Sequence, residues 1–254
     1  MNKSKFSAII ITKNEEAKIG KTVDALSAIC DDIVIVDSDS TDQTVAICKK
    51  KDAKVFNIIW KGYSHAKNFG VSQAKHDWIL SIDADEVVDA QLATSIHNLQ
   101  LDTNYIYAVN RMTNYCGNWI KHSGWFPDWK TRLYHKGSHQ WNDALVHEDL
   151  TNSKKLQVVK LKGMLLHYSY DNLAQHDEKI KVYAMQRAKQ WIEIGTKPSI
   201  VKRYIGKYTR YLTHFIYKLG FLDGKAGHEI ALREGRMVDL QVEFYDNLIK
   251  GSSL

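Results

Sequence analysis

Residues 78–89 read WILSIDADEVVD, and the rest of the chain is read outward from them. Trp78, Ile79, Leu80 and Ile82 form a short apolar run of buried-strand type that ends abruptly in Asp83, Asp85 and Glu86. Carboxylates this close repel one another and lose hydration when buried, so they persist either in water or around a cation. Asp83 and Asp85 are two apart and share one face of an extended chain. A hard divalent cation carrying a polyphosphate suits that geometry, because Mg or Mn takes oxygen ligands and keeps one or two carboxylates beside substrate phosphates. The competing explanation is a helix N-terminus, where acids favour the dipole.

Upstream of this stretch, strand-like and helix-like patterns alternate, the signature of a parallel sheet covered by crossover helices. SAIIIT and DIVIVD read as strands, with a helix from Glu15 to Ile29 between them that aligns Ile19, Val23 and Leu26. A helix over Thr41 to Lys51, a strand at KVFNI and a helix around Tyr63 to Ala74 lead to WILSID. Open sheets of this kind bind ligands at the carboxyl ends of their strands. TKNEE (12–16), DSDSTD (37–42) and DAD (83–85) therefore fall along one edge. No G-x-G-x-x-G follows the first strand and no G-x-x-x-x-G-K-[ST] exists, so a bound nucleotide is held through carboxylates and a metal.

The chain has 254 residues, 44% hydrophobic and 25% charged, which suits one generous domain or a core with an appendage. Its formal charge of +6 is modest, and no nucleic-acid partner is expected. Cys30, Cys48 and Cys116 lack metal or disulfide spacing, which fits a reducing cytoplasm. The apolar run from Phe6 to Ile11 is too short for a signal peptide, and no run is long enough to span a membrane. Pro198, in GTKPS, marks the expected break before a C-terminal appendage.

The ordered set IIITKNEE, VIVDSDSTDQT, AKNFG and LSIDADE resembles the nucleotide-sugar-binding half of family 2 glycosyltransferases of the GT-A fold. NRMTNYCGNWIKHSGWFPDWKTRLYHKG, VHED and LLHYSY extend the resemblance to bacterial lipopolysaccharide core transferases of the beta-1,4-glucosyltransferase type. The fold implied is α/β: a Rossmann-like, mixed, mostly parallel sheet flanked by helices, with a helical C-terminal appendage. Residues 1–170 would form the GT-A domain and 171–254 a helical region associated with a membrane or an interface.

The same resemblance assigns Asp37 to the donor's base or ribose, Asp83 to the ribose side and Asp85 to the metal, with Thr12 and Glu15 lining the base pocket. The chemistry agrees, since carboxylates accept from imide N–H and ribose hydroxyls, and a diphosphate needs its charge neutralised before it leaves. Asp39 stands where such enzymes often have glycine, and Asp42 reads as a helix-terminal acid. Lys67 and Asn68 would orient the donor, against a solvated helix face as the alternative. In the stretch rich in Trp, Gly, His and Arg, Trp125, Asp128 and Arg132 are the acceptor-side candidates, because aromatic faces and polar edges suit a sugar ring. Packing competes as the explanation for Trp119 and Trp129.

An inverting transfer needs a carboxylate to take the acceptor hydroxyl's proton, and Glu148 in VHED is the expected base, with Asp149 as its rival. His167, after another apolar strand, is expected to complete the metal site, since neutral imidazole is a competent Mn ligand. His135, His139 and His147 lack cysteine partners and are set aside as a zinc site.

The resulting expectation is a metal-dependent (Mn or Mg), inverting transfer of a hexose, glucose from UDP-glucose by family likeness, to a lipid-linked saccharide acceptor. A sugar nucleotidyltransferase would want a glycine-rich basic loop where TKNEE is acidic, and a non-catalytic carbohydrate-binding or scaffold protein is the other alternative. In residues 199–221, apolar positions from Val201 to Leu219 recur at helical spacing opposite Lys202, Arg203, Lys207 and Arg210. This basic amphipathic helix is expected to hold the protein peripherally on an anionic membrane surface, the cytoplasmic face of the inner membrane. Packing on the core is its alternative, and assembly into a homo-oligomer is left open.

Overall fold

The computed structural model describes residues 4–141, 150–152 and 156–251. Glu148, Asp149 and His147 lie outside these. The chain divides into two compact units, one of Met1–Arg111 with Asp128–Tyr168 and the other of Met112–Pro127 with Ser169–Leu254.

In the first unit, β1 (Ser4–Thr12), α1 (Ile19–Ser27), β2 (Cys30–Asp37), α2 (Thr44–Lys50), β3 (Lys54–Asn57), α3 (Tyr63–Ser72) and β4 (Trp78–Asp83) follow the expected alternation. The four strands run parallel in the order β3-β2-β1-β4. Ile9, Ile10, Val34, Ile35 and Val36 are buried, as a sheet covered on both faces requires. Glycine at position 70 lets α3 lie close on β1, because a Cβ there would meet Ile9 Cγ2 at 2.4 Å. Helix α1 begins at Ile19 rather than Glu15, because Asn14 takes a φ of 54° and the N–H groups of Glu15 and Glu16 are bound by Thr44 Oγ1 and Asp42.

Beyond β4 the sheet changes direction. The chain continues as β5 (Glu86–Val88), α4 (Ala90–His97), β6 (Tyr105–Tyr115), β7 (Asn118–Trp119), β8 (Asp128–His135), β9 (His139–Trp141), β10 (Leu150–Asn152) and β11 (Gln157–Tyr170). The strand order runs β4-β8-β6-β11-β5, with β8 antiparallel to β4 and to β6, and β5 antiparallel to β11. Four inter-strand steps of a flat sheet span about 19 Å. The three residues from Asp83 to Glu86 reach only about 10 Å. The sheet therefore curls, and residues 83–86 bridge the ends of the curled part. The mixed, mostly parallel sheet flanked by helices matches the expected architecture.

The second unit is built on α5 (Leu173–Glu193), α6 (Ile200–Leu212) and α7 (Gly224–Gly251), with a π-helical turn at Thr213–Tyr217 and a 3₁₀ turn at Gly220–Asp223. Asp223 closes its 112–127 loop, accepting the N–H groups of Lys121 and His122 at 3.0 Å and the Ser123 hydroxyl at 2.7 Å. No helix among the described residues is long and apolar enough to cross a membrane.

Candidate active site

The parallel register sets the strand ends side by side: Thr12 pairs with Asp37, and Ile11 with Asp83. Asp37 is 1% exposed and accepts both the N–H of Ser40, at 2.9 Å, and its hydroxyl. Asp39 takes a φ of 57°, which agrees with a position where glycine is at ease. The loops after β1 and β2 are laced together: Asn14 Oδ1 accepts from Thr41 N–H at 2.8 Å, and Glu16 from Gln43 N–H at 2.8 Å. Asp42 accepts two backbone N–H groups, from Thr44 and Glu16, which is the structural duty expected of it. Thr12 Oγ1 and Ser38 Oγ are buried at this edge with no hydrogen-bond partner among the described residues. Such orphans are uncommon in a settled core and fit a ligand that supplies the missing groups.

Residues 83–86 wrap around a buried arginine. Arg132 Nη2 donates to Asp83 at 2.7 Å and to the two Glu86 oxygens at 2.6 and 2.8 Å. Glu86 is fully buried; it also accepts the Asp83 N–H at 3.0 Å and lies 3.4 Å from Arg111 Nη1. Burial alone would raise the Asp83 pKa, but the Arg132, Lys67 and Arg111 charges outweigh it and hold the carboxyl well below the usual range. Lys67 is 4% exposed, with its ammonium 4.1 Å from the centre of the Trp141 ring. Asn68 instead braces β9, donating to Trp141 O at 3.0 Å and accepting its N–H at 3.2 Å.

Asp85 is arranged differently. Its Oδ2 lies 3.3 Å from His167 Nε2, with both side chains partly open to solvent. Pairing of β5 with β11 produces this approach, setting His167 opposite Glu86, and the Tyr168 N–H donates to Asp85 O at 2.9 Å. No group of three or more His, Cys, Asp or Glu among the described residues is arranged to hold a metal. One carboxylate and one imidazole fit Mn or Mg that takes its remaining ligands from a diphosphate and water.

The acceptor-side candidates are divided between the two units. Arg132 lies among the carboxylates of residues 83–86, and Asp128 accepts from Arg111 Nε at 2.9 Å. Trp125 belongs to the second unit, in a ring cluster with Tyr115, Tyr170 and His176; it stacks on Tyr170 at 5.8 Å between centroids. Trp129 lies under the Lys160 ammonium, 4.7 Å from its ring centre. Sequence alone marks Glu86 as a member of the acidic knot without giving it a task, and it does not single out Arg111 or Ser38. The knot itself is the available signal for Glu86, since a buried carboxylate needs a cation somewhere in the chain.

The family model for glycosyl transferase family 2 matches residues 7–153. An uncharacterized glycosyltransferase of Rickettsia bellii is 33% identical over 216 residues, 78% of this chain and 71% of that protein. The lipopolysaccharide core biosynthesis glycosyltransferase LpsC of Rhizobium meliloti is 30% identical over 205 residues, 78% and 75% of the two chains. Among solved structures, glucosyl-3-phosphoglycerate synthase of Mycobacterium tuberculosis with Mn2+ and UDP-glucose aligns over 43% of each chain, at 20% identity and a TM-score of 0.37.

Proposed function

The chain belongs to glycosyl transferase family 2, and from that premise we propose that it moves a hexose, glucose from UDP-glucose, to a lipid-linked saccharide in lipopolysaccharide core or cell-surface glycan synthesis. Similarity to LpsC supports the acceptor class. The observation that carries the donor reading is the 3.3 Å approach of Asp85 to His167 beside the Asp83 carboxylate that Arg132 neutralises. Asp85 and His167 would hold a divalent cation, which when bound offsets the charge of the diphosphate leaving group. Thr12, Glu15 and Asp37 would take the base and ribose, Asp83 the ribose side, and Lys67 would add positive charge near the phosphates.

Glu148 is the proposed base: it takes the acceptor hydroxyl's proton while that oxygen attacks the anomeric carbon and the nucleoside diphosphate departs, inverting the centre. Asp149 is its rival. Trp125 and Asp128 remain the acceptor-side candidates, whereas Arg132, buried against Asp83 and Glu86, would serve the donor side by keeping Asp83 charged and placed. Peripheral attachment to the cytoplasmic face of the inner membrane would bring the protein to a lipid-linked acceptor, and exposed tyrosines on α6 support it. Calorimetric titration of UDP-glucose with Mn present tests the donor reading. Asp85→Asn should weaken binding at least about tenfold, the effect of losing a charged ligand; undiminished binding and turnover would remove Asp85 from the metal site.

A further inference from the structure

The second unit contains a cavity of about 450 Å³ bounded by α5, α6 and α7. Arg187, Lys202 and Arg210 line it, and among the described residues no acidic one does. Arg210 is occupied outside the lining, with Nε 3.0 Å from Glu234. Among the described residues Arg187 and Lys202 form no ion pair: Arg187 donates to Gln190 at 2.7 Å, and the Lys202 ammonium sits 4.5 Å from the centre of the Trp191 ring. Burial, and then the like charges of Arg187 and Arg210, depress the Lys202 pKa. Arg187 is exposed and Lys202 half-buried, so water screens their repulsion only in part, and an anion set between the two would relieve it.

A second, uncharged group points to the same conclusion. Gln241 lines the cavity, is 9% exposed, and its Oε1 has no hydrogen-bond partner among the described residues. The two ends of a glutamine amide exchange by rotation, so an anion would draw the NH2 end toward itself as a donor. Thr209 and Thr213, also in the wall, already donate their hydroxyl hydrogens to the carbonyls of Gly206 and Thr209. Their remaining lone pairs can only accept, which suits ligand hydroxyls rather than more anionic oxygen. Val201, Met237 and Val238 give the wall an apolar side for carbon.

We propose that this cavity binds a phosphate ester of a polyol, its phosphate held by Arg187, Lys202 and Gln241 and its hydroxyls by Thr209 and Thr213. The ligand chemistry is shared by a free polyol phosphate and by a glycerophosphate lipid headgroup. The cavity lies wholly within the second unit, so the proposal stands apart from the donor reading and can fail without it.

The test is calorimetry and thermal shift on the full chain in EDTA, which withholds the metal that would draw phosphates to Asp85. The probes are inorganic phosphate, glycerol 3-phosphate and a short-chain phosphatidylglycerol below its micelle concentration. Glycerol 3-phosphate should bind wild type more tightly than inorganic phosphate and raise its melting temperature. Arg187→Gln with Lys202→Gln should weaken that binding about a hundredfold, because each substitution removes one charge-assisted hydrogen bond to the phosphate. Gln241→Leu should weaken it about tenfold without lowering the unliganded melting temperature, since the orphaned amide leaves with the substitution. Tighter binding of phosphatidylglycerol assigns a lipid source, and tighter binding of glycerol 3-phosphate a free one. Equal affinity for inorganic phosphate overturns the ester assignment. No binding by wild type, or binding that survives in the double variant, overturns the site.

Discussion

Glu86 illustrates how one buried carboxylate organises its surroundings: it meets Arg132, Arg111 and the Asp83 N–H while fully shielded from solvent. A buried ion pair adds little net stability over an apolar replacement, but removing one partner strands the other charge. Glu86→Gln should therefore lower unfolding free energy by about 3 kcal/mol in urea melts. Asp128→Asn, at a pair with Arg111 that solvent still reaches in part, should cost less, about 1 kcal/mol. Comparable losses for the two would mean that Glu86 is not the anchor. The base assignment is a residue-scale question too. Glu148→Gln keeps shape and hydrogen bonding while removing proton acceptance, so donor affinity should hold while turnover falls by roughly two to four orders of magnitude. Collapse with Asp149→Asn in its place would exchange the two roles.

At the scale of elements, α6 inverts the picture that its sequence invites. The pattern separates apolar from basic positions but does not say which side packs. Arg203 pairs with Asp246 at 2.7 Å, Lys207 with Asp239 at 3.3 Å and Arg210 with Glu234 at 3.0 Å, all acids of α7. The apolar side is the outward one: Ile200, Tyr204 and Tyr208 are 75%, 74% and 59% exposed. Any bilayer attachment should then rest on inserted side chains more than on the three paired cations. Tyr204→Ser with Ile205→Ser and Tyr208→Ser should reduce co-sedimentation with anionic vesicles at least about tenfold, and high salt should reduce that of wild type only about twofold. Loss on salt addition, with no effect of the triple variant, would restore the electrostatic account. The acids that pair with α6 lie far along the chain, in α7, which is why its packed side is illegible in the sequence. The alternation from β1 to β4 is legible because each strand and helix carries its own local period. The DAD edge is legible for the same reason, whereas the Arg132 clasp requires the sheet to curl β8 back beside β4.

Across the whole molecule, the two units respond to acid through different groups. His176, in the second unit, is buried and shares a 3.0 Å hydrogen bond with the Tyr115 hydroxyl. Burial, followed by the nearby Arg233 charge, lowers its pKa from 6.5 to about 4. Between those values the unfolded chain binds a proton that the folded one refuses, so His176 contributes its full stability above pH 6.5 and loses it as pH falls toward 4. The loss is on the order of 3 kcal/mol. Asp83 behaves otherwise: its folded-state value lies below that of the unfolded chain, so its contribution is complete above the ordinary carboxylate range and fades only below it. Mild acid should thus weaken the second unit first. Hydrogen exchange followed by mass spectrometry, run in urea at about neutral pH and at about pH 5, should show protection falling in peptides of α5 while those of β1 and β4 hold. His176→Gln should lower protection of α5 at neutral pH and remove its pH dependence in that window. If α5 and β1 lose protection together in wild type, or if the variant keeps the full pH dependence, His176 is not the acid-sensitive group.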